Sequence, residues 1–190
     1  MLNALGILVV VLLLATTALC SAARWGVFGS DPATAPDFTL VDQDGRPFTL
    51  SKLRGAPIAL FFGFTHCPDE CPTTLAHLAK ALHAPGVPPD TRVAFITVDP
   101  ARDSPALLKR YVGLFDRRFV GLTGVLRDLT PVYAAYHMPR KAARIDNEHG
   151  DDSFEHGTTV YYIGRDGTIK GSGSWDDAPE QMAQDFRSFQ

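Results

Sequence analysis

The sequence lacks an excess of charge of either sign. Its 18 basic residues are balanced by 21 acidic ones, which gives a formal net charge of −3 at pH 7 over 190 residues. The basic residues are scattered rather than clustered, so the chain has no electrostatic footprint for nucleic acid, and that class of partner is excluded. It also lacks internal repeats and any sign of disorder. With 45% hydrophobic residues, one ordinary globular domain is expected.

The first part of the chain lacks charge altogether. Residues 2–23 contain no charged side chain, and this apolar stretch is about long enough to cross a bilayer as a helix. The basic segment that usually opens a signal peptide is missing, so for residues 1–23 an uncleaved transmembrane anchor is favoured over a signal segment. A lipid anchor on Cys20 is disfavoured because Leu19 stands where a small residue is expected.

The remaining chain divides into a linker and a domain. Residues 24–36 contain Gly, Ser, Pro and Ala and are interpreted as a linker. The folded domain is predicted to comprise residues 37–190. It should open with a β-hairpin, since apolar and polar residues alternate on both sides of Asp44-Gly45.

The pattern of elements within the domain predicts an α/β fold. Residues 57–64 (PIALFFGF) and 92–99 (RVAFITVD) are apolar runs of strand length, typical of strands buried on both faces. Helical patterns alternate with such strands, and one helix should start at Ser104-Pro105, a capping hydroxyl followed by proline. A last hairpin and a C-terminal helix close the chain. This alternation of strands and helices predicts an α/β sheet.

Cysteine is scarce, and two of the three cysteines stand close together. The stretch GFTHCPDECPTT separates Cys67 from Cys71 by three residues. Both follow the first buried strand, at the edge where open α/β sheets place their sites. Proline is unfavourable inside a helix, so we expect the next helix to begin at Pro72, with Cys71 as its cap. The positive end of the helix dipole would then favour thiolates.

Two acidic residues between the cysteines should disfavour thiolates. The carboxylates of Asp69 and Glu70 should raise thiol pKa values and favour a bound cation. The pair alone leaves three interpretations open: a structural disulfide, a redox site or a metal site. Redox motifs usually separate their cysteines by two residues rather than three, which lowers the weight of the second interpretation.

A third ligand would favour the metal site, and the chain offers six histidines. His156 stands immediately before an apolar strand, where an α/β sheet can bring a distant loop to the end of the first strand. His77 and His83 lie on the predicted helix, too far from its start. His66 should point away from its neighbour Cys67 on an extended segment. His149 lies in an acidic loop and is interpreted as a solvated residue.

The segment VDPARDSP, residues 98–105, carries further charged side chains. A strand end, a turn and a helix cap explain it fully. Asp99 and Arg102 are therefore given no catalytic role.

Together these segments resemble the Sco/SenC family of copper chaperones. GFTHCPDECP, VDPARDSP and FEHGTTVYYI occur in the order seen in that family, and the resemblance covers nearly the whole chain. It implies a thioredoxin-like domain, tethered at the periplasmic, extracytoplasmic face of a membrane, that binds copper through Cys67, Cys71 and His156. Glu155 and Gly157 depart from the residues usual beside the histidine, which puts in doubt any supporting role of those neighbours.

The function implied by the resemblance is assembly of the copper A centre of cytochrome c oxidase. Two thiolates and one imidazole form a soft ligand set that suits Cu(I), with Cu(II) as a second state. Asp69 is a candidate for an outer contact, a residue that contacts the metal ligands without binding the metal itself. Cys67 and Cys71 would form the disulfide of the oxidised protein. The implied partners are the copper A-bearing oxidase subunit, an upstream copper donor, a thiol reductant and the membrane.

Two other functions remain open for the same fold. The domain could be a thiol-disulfide reductase acting on cysteines of an oxidase subunit, or a redox sensor. A peroxiredoxin is set aside because Leu60 and Phe64 occupy the positions where its motif needs proline and threonine. The favoured interpretation is a metallochaperone rather than an enzyme.

Overall fold

The structure, a computed structural model, describes the backbone of residues 33–138, 140–144 and 152–189, and the side chains of residues 33–138 and 157–189. Within these ranges no helix is long and apolar enough to cross a membrane. The predicted anchor, residues 1–23, lies outside the described residues and stays a prediction.

The described residues form nine strands, four α-helices and a 3₁₀ helix at Leu50–Leu53. The strands are β1 (Thr39–Asp42), β2 (Pro47–Thr49), β3 (Ile58–Gly63), β4 (Arg92–Thr97), β5 (Phe119–Thr123), β6 (Arg140–Arg144), β7 (Asp152–His156), β8 (Val160–Ile163) and β9 (Ile169–Gly173). The α-helices are α1 (Glu70–Leu82), α2 (Pro105–Gly113), α3 (Leu126–Ala135) and α4 (Pro179–Ser188).

Seven strands make one mixed sheet in the order β2-β1-β5-β4-β3-β8-β9. The central strands β3, β4 and β5 are parallel, and β8 joins β3 in antiparallel orientation. All six residues of β3 are buried, as its unbroken apolar sequence predicts for a strand covered on both faces. The predicted α/β class and the N-terminal hairpin of β1 and β2 are confirmed.

Helices cover both faces of the sheet. On one face, α3 packs Leu129 and Val132 against side chains of the central strands. On the other face, α1, α2 and α4 share a second apolar cluster with Phe61 and Phe95. Cys67 packs against both clusters. It therefore lies where the two halves of the core meet.

The folded unit begins earlier than the sequence suggested. It starts at Ala33, whereas the predicted linker extends to residue 36. Ala35 is buried, and its N–H donates to the carbonyl oxygen of Gly167 at 2.9 Å. A buried apolar side chain and backbone hydrogen bonds join this segment to the domain, although its composition is typical of a linker.

A second, two-stranded sheet stands apart from the main one and was not predicted. Strand β6 pairs with β7 in antiparallel register, and Arg140 lies opposite His156. His156 is therefore the last residue of its own strand, and three residues separate it from the apolar strand β8.

Candidate metal centre

The two cysteines lie where β3 gives way to α1, in a segment that we call the thiol loop, residues 64–71. The strand ends at Gly63 and the helix begins at Glu70. The side chain of Cys71 is fully buried, and Cys67 is partly buried. Both are thus at the carboxyl edge of the parallel strands, as predicted.

The start of α1 differs from the prediction. The helix begins at Glu70, with Asp69 at the N-cap, so Cys71 is the second helical residue rather than the cap. Pro72 is the third helical residue. The N–H groups of the first turn have no acceptor within a helix, so a proline there removes no helical hydrogen bond. The prediction of a start at Pro72 was wrong for this reason.

The two sulfur atoms are close neighbours. Both cysteines are in the thiol form, and the backbone N–H of Cys71 donates to Cys67 Sγ at 3.4 Å. A hydrogen bond with the Cys67 side chain, together with burial, raises the pKa of Cys71 well above its usual value. Glu70 adds to this rise, as expected, and the N–H of Phe64 opposes it. The direction of this pKa shift is opposite to the one expected from the helix dipole alone.

Gly63 leaves room for the buried sulfur. A Cβ atom at this position would lie 2.6 Å from Cys71 Sγ and 2.7 Å from Cε2 of Phe95. Neither atom can move far in a close-packed core. This role was not predicted from the sequence, although a glycine that ends an apolar strand indicates a close approach.

Asp69, the predicted outer contact, is exposed at the N-cap of α1. Its side chain makes no capping hydrogen bond with the helix. The carboxylate is thus beside the thiols in sequence and open to solvent.

A second loop supports the thiol loop from the neighbouring strand. We call residues 98–104, which follow β4, the carboxylate loop. The fully buried Asp103 accepts hydrogen bonds from Thr65 N at 3.1 Å, from Thr65 Oγ1 at 2.5 Å and from Thr97 Oγ1 at 2.6 Å. One carboxylate therefore fixes the backbone two residues before Cys67. This role was missed because the partners are far apart in sequence.

The other polar residues of the carboxylate loop form the turn and the helix cap that its sequence predicts. Arg102 Nε donates to the carboxylate of Asp99, and Asp99 N donates to Thr97 Oγ1 at 2.9 Å. Ser104 Oγ accepts from Leu107 N at 3.3 Å and caps α2. The predicted turn and helix cap are confirmed.

His156 is placed only by its backbone, as the last residue of β7. The next residue, Gly157, donates its N–H to Met138 Sδ at 3.0 Å, so buried Met138 bonds to the chain at this point. The described side chains contain no group of three His, Cys, Asp or Glu that could hold a metal ion. The side chain of His156 is outside them, so the three-ligand set stays a prediction.

The remaining histidines have separate surroundings. His77 Nδ1 lies 3.0 Å from the carbonyl oxygen of Asp177, and His83 Nε2 lies 2.7 Å from Asp116 Oδ2. Neither bond involves the thiol loop, in agreement with the prediction. His149 lies outside the described residues.

For His66 the premise of the prediction does not hold, because its segment is not extended. Residues 65 and 66 form a turn, and Cys67 N donates to the carbonyl oxygen of Phe64 at 3.2 Å. The rule that neighbouring side chains point to opposite faces holds for strands. It therefore does not apply here.

The arrangement of two adjacent sulfurs at this sheet edge can be compared with known proteins. The family model described as SCO1/SenC matches residues 29–190 of the chain. The chain belongs to the SCO1/SenC family. The resemblance found from the sequence motifs is confirmed.

Individual members of the SCO1/SenC family give the same result. A SCO2-like protein of Rickettsia prowazekii is 34% identical over 170 residues, which are 85% of this chain and 80% of that protein. The structure of Bradyrhizobium japonicum ScoI with copper bound is similar with a TM-score of 0.73 and 34% identity, over 83% of this chain and 100% of that one. The predicted thioredoxin-like α/β fold is thereby confirmed.

A third similar structure is that of BsSco, for which a disulfide switch is described. BsSco is reported as a member of the Sco family of cytochrome c oxidase assembly proteins, and its structure is similar with a TM-score of 0.62. It is 25% identical and covers 83% of this chain and 95% of that one.

Proposed function

We propose that this protein is a copper metallochaperone that assists assembly of the copper A centre of cytochrome c oxidase. The observation that carries the proposal is the pair of adjacent sulfurs, Cys67 and Cys71, at the carboxyl edge of the parallel strands. Family membership supports it, since ScoI of Bradyrhizobium japonicum has copper bound and BsSco is described among oxidase assembly proteins.

The sulfur pair fits Cu(I) by its chemistry. Thiolates are soft ligands that select Cu(I), and two of them can hold an ion of low coordination number. The thiols of Cys67 and Cys71 release their protons when the ion binds. His156 is the proposed third ligand, and its imidazole nitrogen would also suit Cu(II). Exposed Asp69 is the proposed outer contact.

The ligand set can be tested by anaerobic competition with a Cu(I) chelator. Cys67→Ser and Cys71→Ser should each lose most of the Cu(I) affinity, because a hydroxyl is a poor ligand for a soft ion. His156→Ala should keep a weakened two-sulfur site for Cu(I) and lose the thiolate-to-Cu(II) absorption bands. His149→Ala is the matched control. Unchanged Cu(II) bands in His156→Ala would remove that residue from the site, and unchanged Cu(I) affinity in both cysteine variants would remove the site itself.

A second function is favoured by the same pair of sulfurs. Thiols that already share a hydrogen bond are close enough to form a disulfide with a small movement, and BsSco is described with a disulfide switch. The protein could therefore reduce cysteines of an oxidase subunit or sense the redox state. Oxidation to a Cys67-Cys71 disulfide removes both thiolates and should abolish tight Cu(I) binding.

Delivery and reduction can be separated in one experiment. The reduced, copper-loaded protein is mixed with an apo copper A domain, and copper transfer is measured beside the rate at which the copper-free protein reduces a disulfide in the same domain. Stoichiometric transfer with slow reduction supports the chaperone. Fast reduction without transfer supports the reductase.

The proposed location is the outer face of a membrane, held by an uncleaved helix within residues 1–23. The uncharged run of residues 2–23 supports the helix. A C-terminal alkaline phosphatase fusion should be active and a cytoplasmic reporter at the same place inactive. The reverse pattern would contradict this topology.

A further inference from the structure

The hydroxyl group of Tyr111, a residue of α2, is buried and has no hydrogen-bond partner among the residues that the structure describes. The ring of this tyrosine is partly buried and packs against the apolar cluster that contains Cys71. Buried polar groups are nearly always hydrogen-bonded, because leaving one unpaired costs free energy. An unpaired hydroxyl in this part of the core therefore needs an explanation.

Packing around Phe95 connects this tyrosine with the buried sulfur. The ring centroids of Tyr111 and Phe95 lie 5.6 Å apart. A Cβ atom at Gly63 would lie 2.6 Å from Cys71 Sγ and 2.7 Å from Phe95 Cε2, so the sulfur and the edge of this ring border the same small space. Tyr111 and the sulfur of Cys71 are therefore both neighbours of one phenylalanine ring.

The electrostatic surroundings of Tyr111 agree with this position. Burial raises the pKa of its hydroxyl well above the usual value, and the charges of Cys71, Cys67 and Asp103 raise it further, with Cys71 the largest of the three. The carboxylate of Asp103 is already bonded to donors in the thiol loop and in β4. The sulfurs are thus the neighbouring groups whose hydrogen bonds can change when a metal binds.

Metal binding would remove the hydrogen bond that the two thiols share. In the metal-free protein the side chains of Cys67 and Cys71 are hydrogen-bonded to each other. The thiolate is the form of cysteine that binds a metal, so no S–H group remains between the sulfurs once copper is bound. A thiolate still accepts hydrogen bonds, and a phenol is a better donor than a thiol. The hydroxyl of Tyr111 is the buried donor in this cluster that can supply one.

We propose that Tyr111 is a positioning residue whose hydroxyl donates a hydrogen bond to the sulfur of Cys71 when copper is bound. The inference rests on the proposed copper function and adds an outer contact from α2. The phenol keeps its proton, the two thiol protons pass to solvent, and no electron is transferred. A hydrogen bond to a charged acceptor is stronger than one between neutral groups, so it holds the sulfur in the orientation that binds the ion.

The variant Tyr111→Phe tests this proposal because it removes the hydroxyl and keeps the ring. Its Cu(I) affinity, measured by anaerobic chelator competition on the reduced full-length protein, should fall about 10-fold, as is typical when partners of metal ligands are removed. The copper-free variant should be at least as stable to denaturant as the wild type, because its hydroxyl has no described partner to lose. A tyrosine that served the fold alone would give the opposite result, with lower stability and unchanged affinity.

Tyr162→Phe is the matched control. The hydroxyl of Tyr162 is also buried without a partner among the described residues, and its ring belongs to the same apolar cluster. Burial raises its pKa as well, but the charges that add to the rise are those of Asp185 and Asp177 rather than those of the cysteines. This variant should keep the Cu(I) affinity of the wild type. An equal loss of affinity in both variants would assign the effect to the core in general and overturn the proposal.

The Cu(II) form provides a second measurement. Hydrogen bonding around a cysteine sulfur tunes the electronic properties of a copper site, and a bond to the thiolate lowers the energy of the sulfur electrons. Loss of the bond in Tyr111→Phe should therefore shift the thiolate-to-Cu(II) absorption band to longer wavelength, whereas Tyr162→Phe should keep the band of the wild type. An unshifted band in Tyr111→Phe would show that the hydroxyl does not bond to a sulfur.

The outcomes separate this proposal from the copper function itself. If the wild type binds Cu(I) and Tyr111→Phe binds it equally well, the positioning role is refuted and the chaperone stands. If copper-free Tyr111→Phe is less stable than the wild type, the hydroxyl already serves the fold, and the proposal is overturned. If the wild type binds no Cu(I), the copper function fails and the positioning role fails with it.

Discussion

The thiol loop and the carboxylate loop leave the same edge of the sheet but use their polar groups in opposite ways. Gly63 and Thr97 are partners in the parallel register of β3 and β4, so the two loops start side by side. In the carboxylate loop, Asp103 is buried and accepts three strong hydrogen bonds. In the thiol loop, the groups suited to chemistry are the two thiols.

The carboxylate loop supports the backbone at this edge of the sheet, whereas the thiol loop carries the reactive groups. A buried carboxylate with several donors is rigid because each bond constrains it, and moving it would leave donors unpaired. Thiols are weak hydrogen-bonding groups that can exchange a proton for a metal or for a second sulfur. The reactive loop can therefore change its chemical state while the neighbouring loop holds its backbone in place.

The largest effect on stability should come from the carboxylate loop. Asp103→Ala would leave the hydroxyls of Thr65 and Thr97 without their buried acceptor, and we expect the free energy of unfolding to fall by about 3 kcal/mol. Denaturant unfolding of the reduced protein measures it. Asp44→Ala, which removes a surface carboxylate paired with Lys109, should have a much smaller effect. Equal effects in the two variants would contradict the supporting role.

The next effect concerns the space for the buried sulfur. Gly63→Ala places a methyl group against Cys71 Sγ and Phe95, and we expect a loss of about 2 kcal/mol from overpacking. Cu(I) affinity should fall as well, since the sulfur must move. Gly124→Ala is the matched control after β5, where the nearest atom to a Cβ is Leu40 Cδ2 at 3.5 Å. The idea is wrong if both alanine variants keep wild-type stability and affinity.

A smaller effect is a dependence of stability on pH that belongs to Cys71. Its folded-state pKa is raised above the unperturbed 9.0, so both states hold the proton below pH 9. Above it only the unfolded chain releases the proton, and stability should fall with rising pH by at most about 1.4 kcal/mol per pH unit. Unfolding between pH 8 and 10 measures the slope. Cys71→Ser should flatten it, and an equal slope in that variant would show that other groups cause it.

The smallest effect should come from the helix cap beside the buried carboxylate. Ser104→Ala removes the acceptor for Leu107 N and should cost about 1 kcal/mol of stability. Because this side chain does not contact the thiol loop in any described hydrogen bond, copper affinity should not change. Thermal unfolding and chelator competition on the same variant check both parts. A drop in affinity would show that the two loops are coupled through more than Asp103.

Elements governed by local stereochemistry were predictable from the sequence. The apolar run of β3, the capped start of α2 at Ser104 and Pro105, and the hairpin turn at Asp44-Gly45 all appear where expected. Gly45 adopts a φ of 77°, a conformation that glycine takes without strain. The start of α1 was not predictable in the same way, because Pro72 is compatible with the first turn as well as with a later start.

By itself the sequence determined that two thiols stand three residues apart after a buried strand, and that strand and helix alternate around them. Only the tertiary structure decided that Cys71 is buried against Phe95, that Gly63 provides the space, and that Asp103 bonds to Thr65 across 38 positions of chain. The physical reason is the register of parallel strands. It brings the ends of β3 and β4 together, and no local pattern in either loop encodes which residue of the other it will meet.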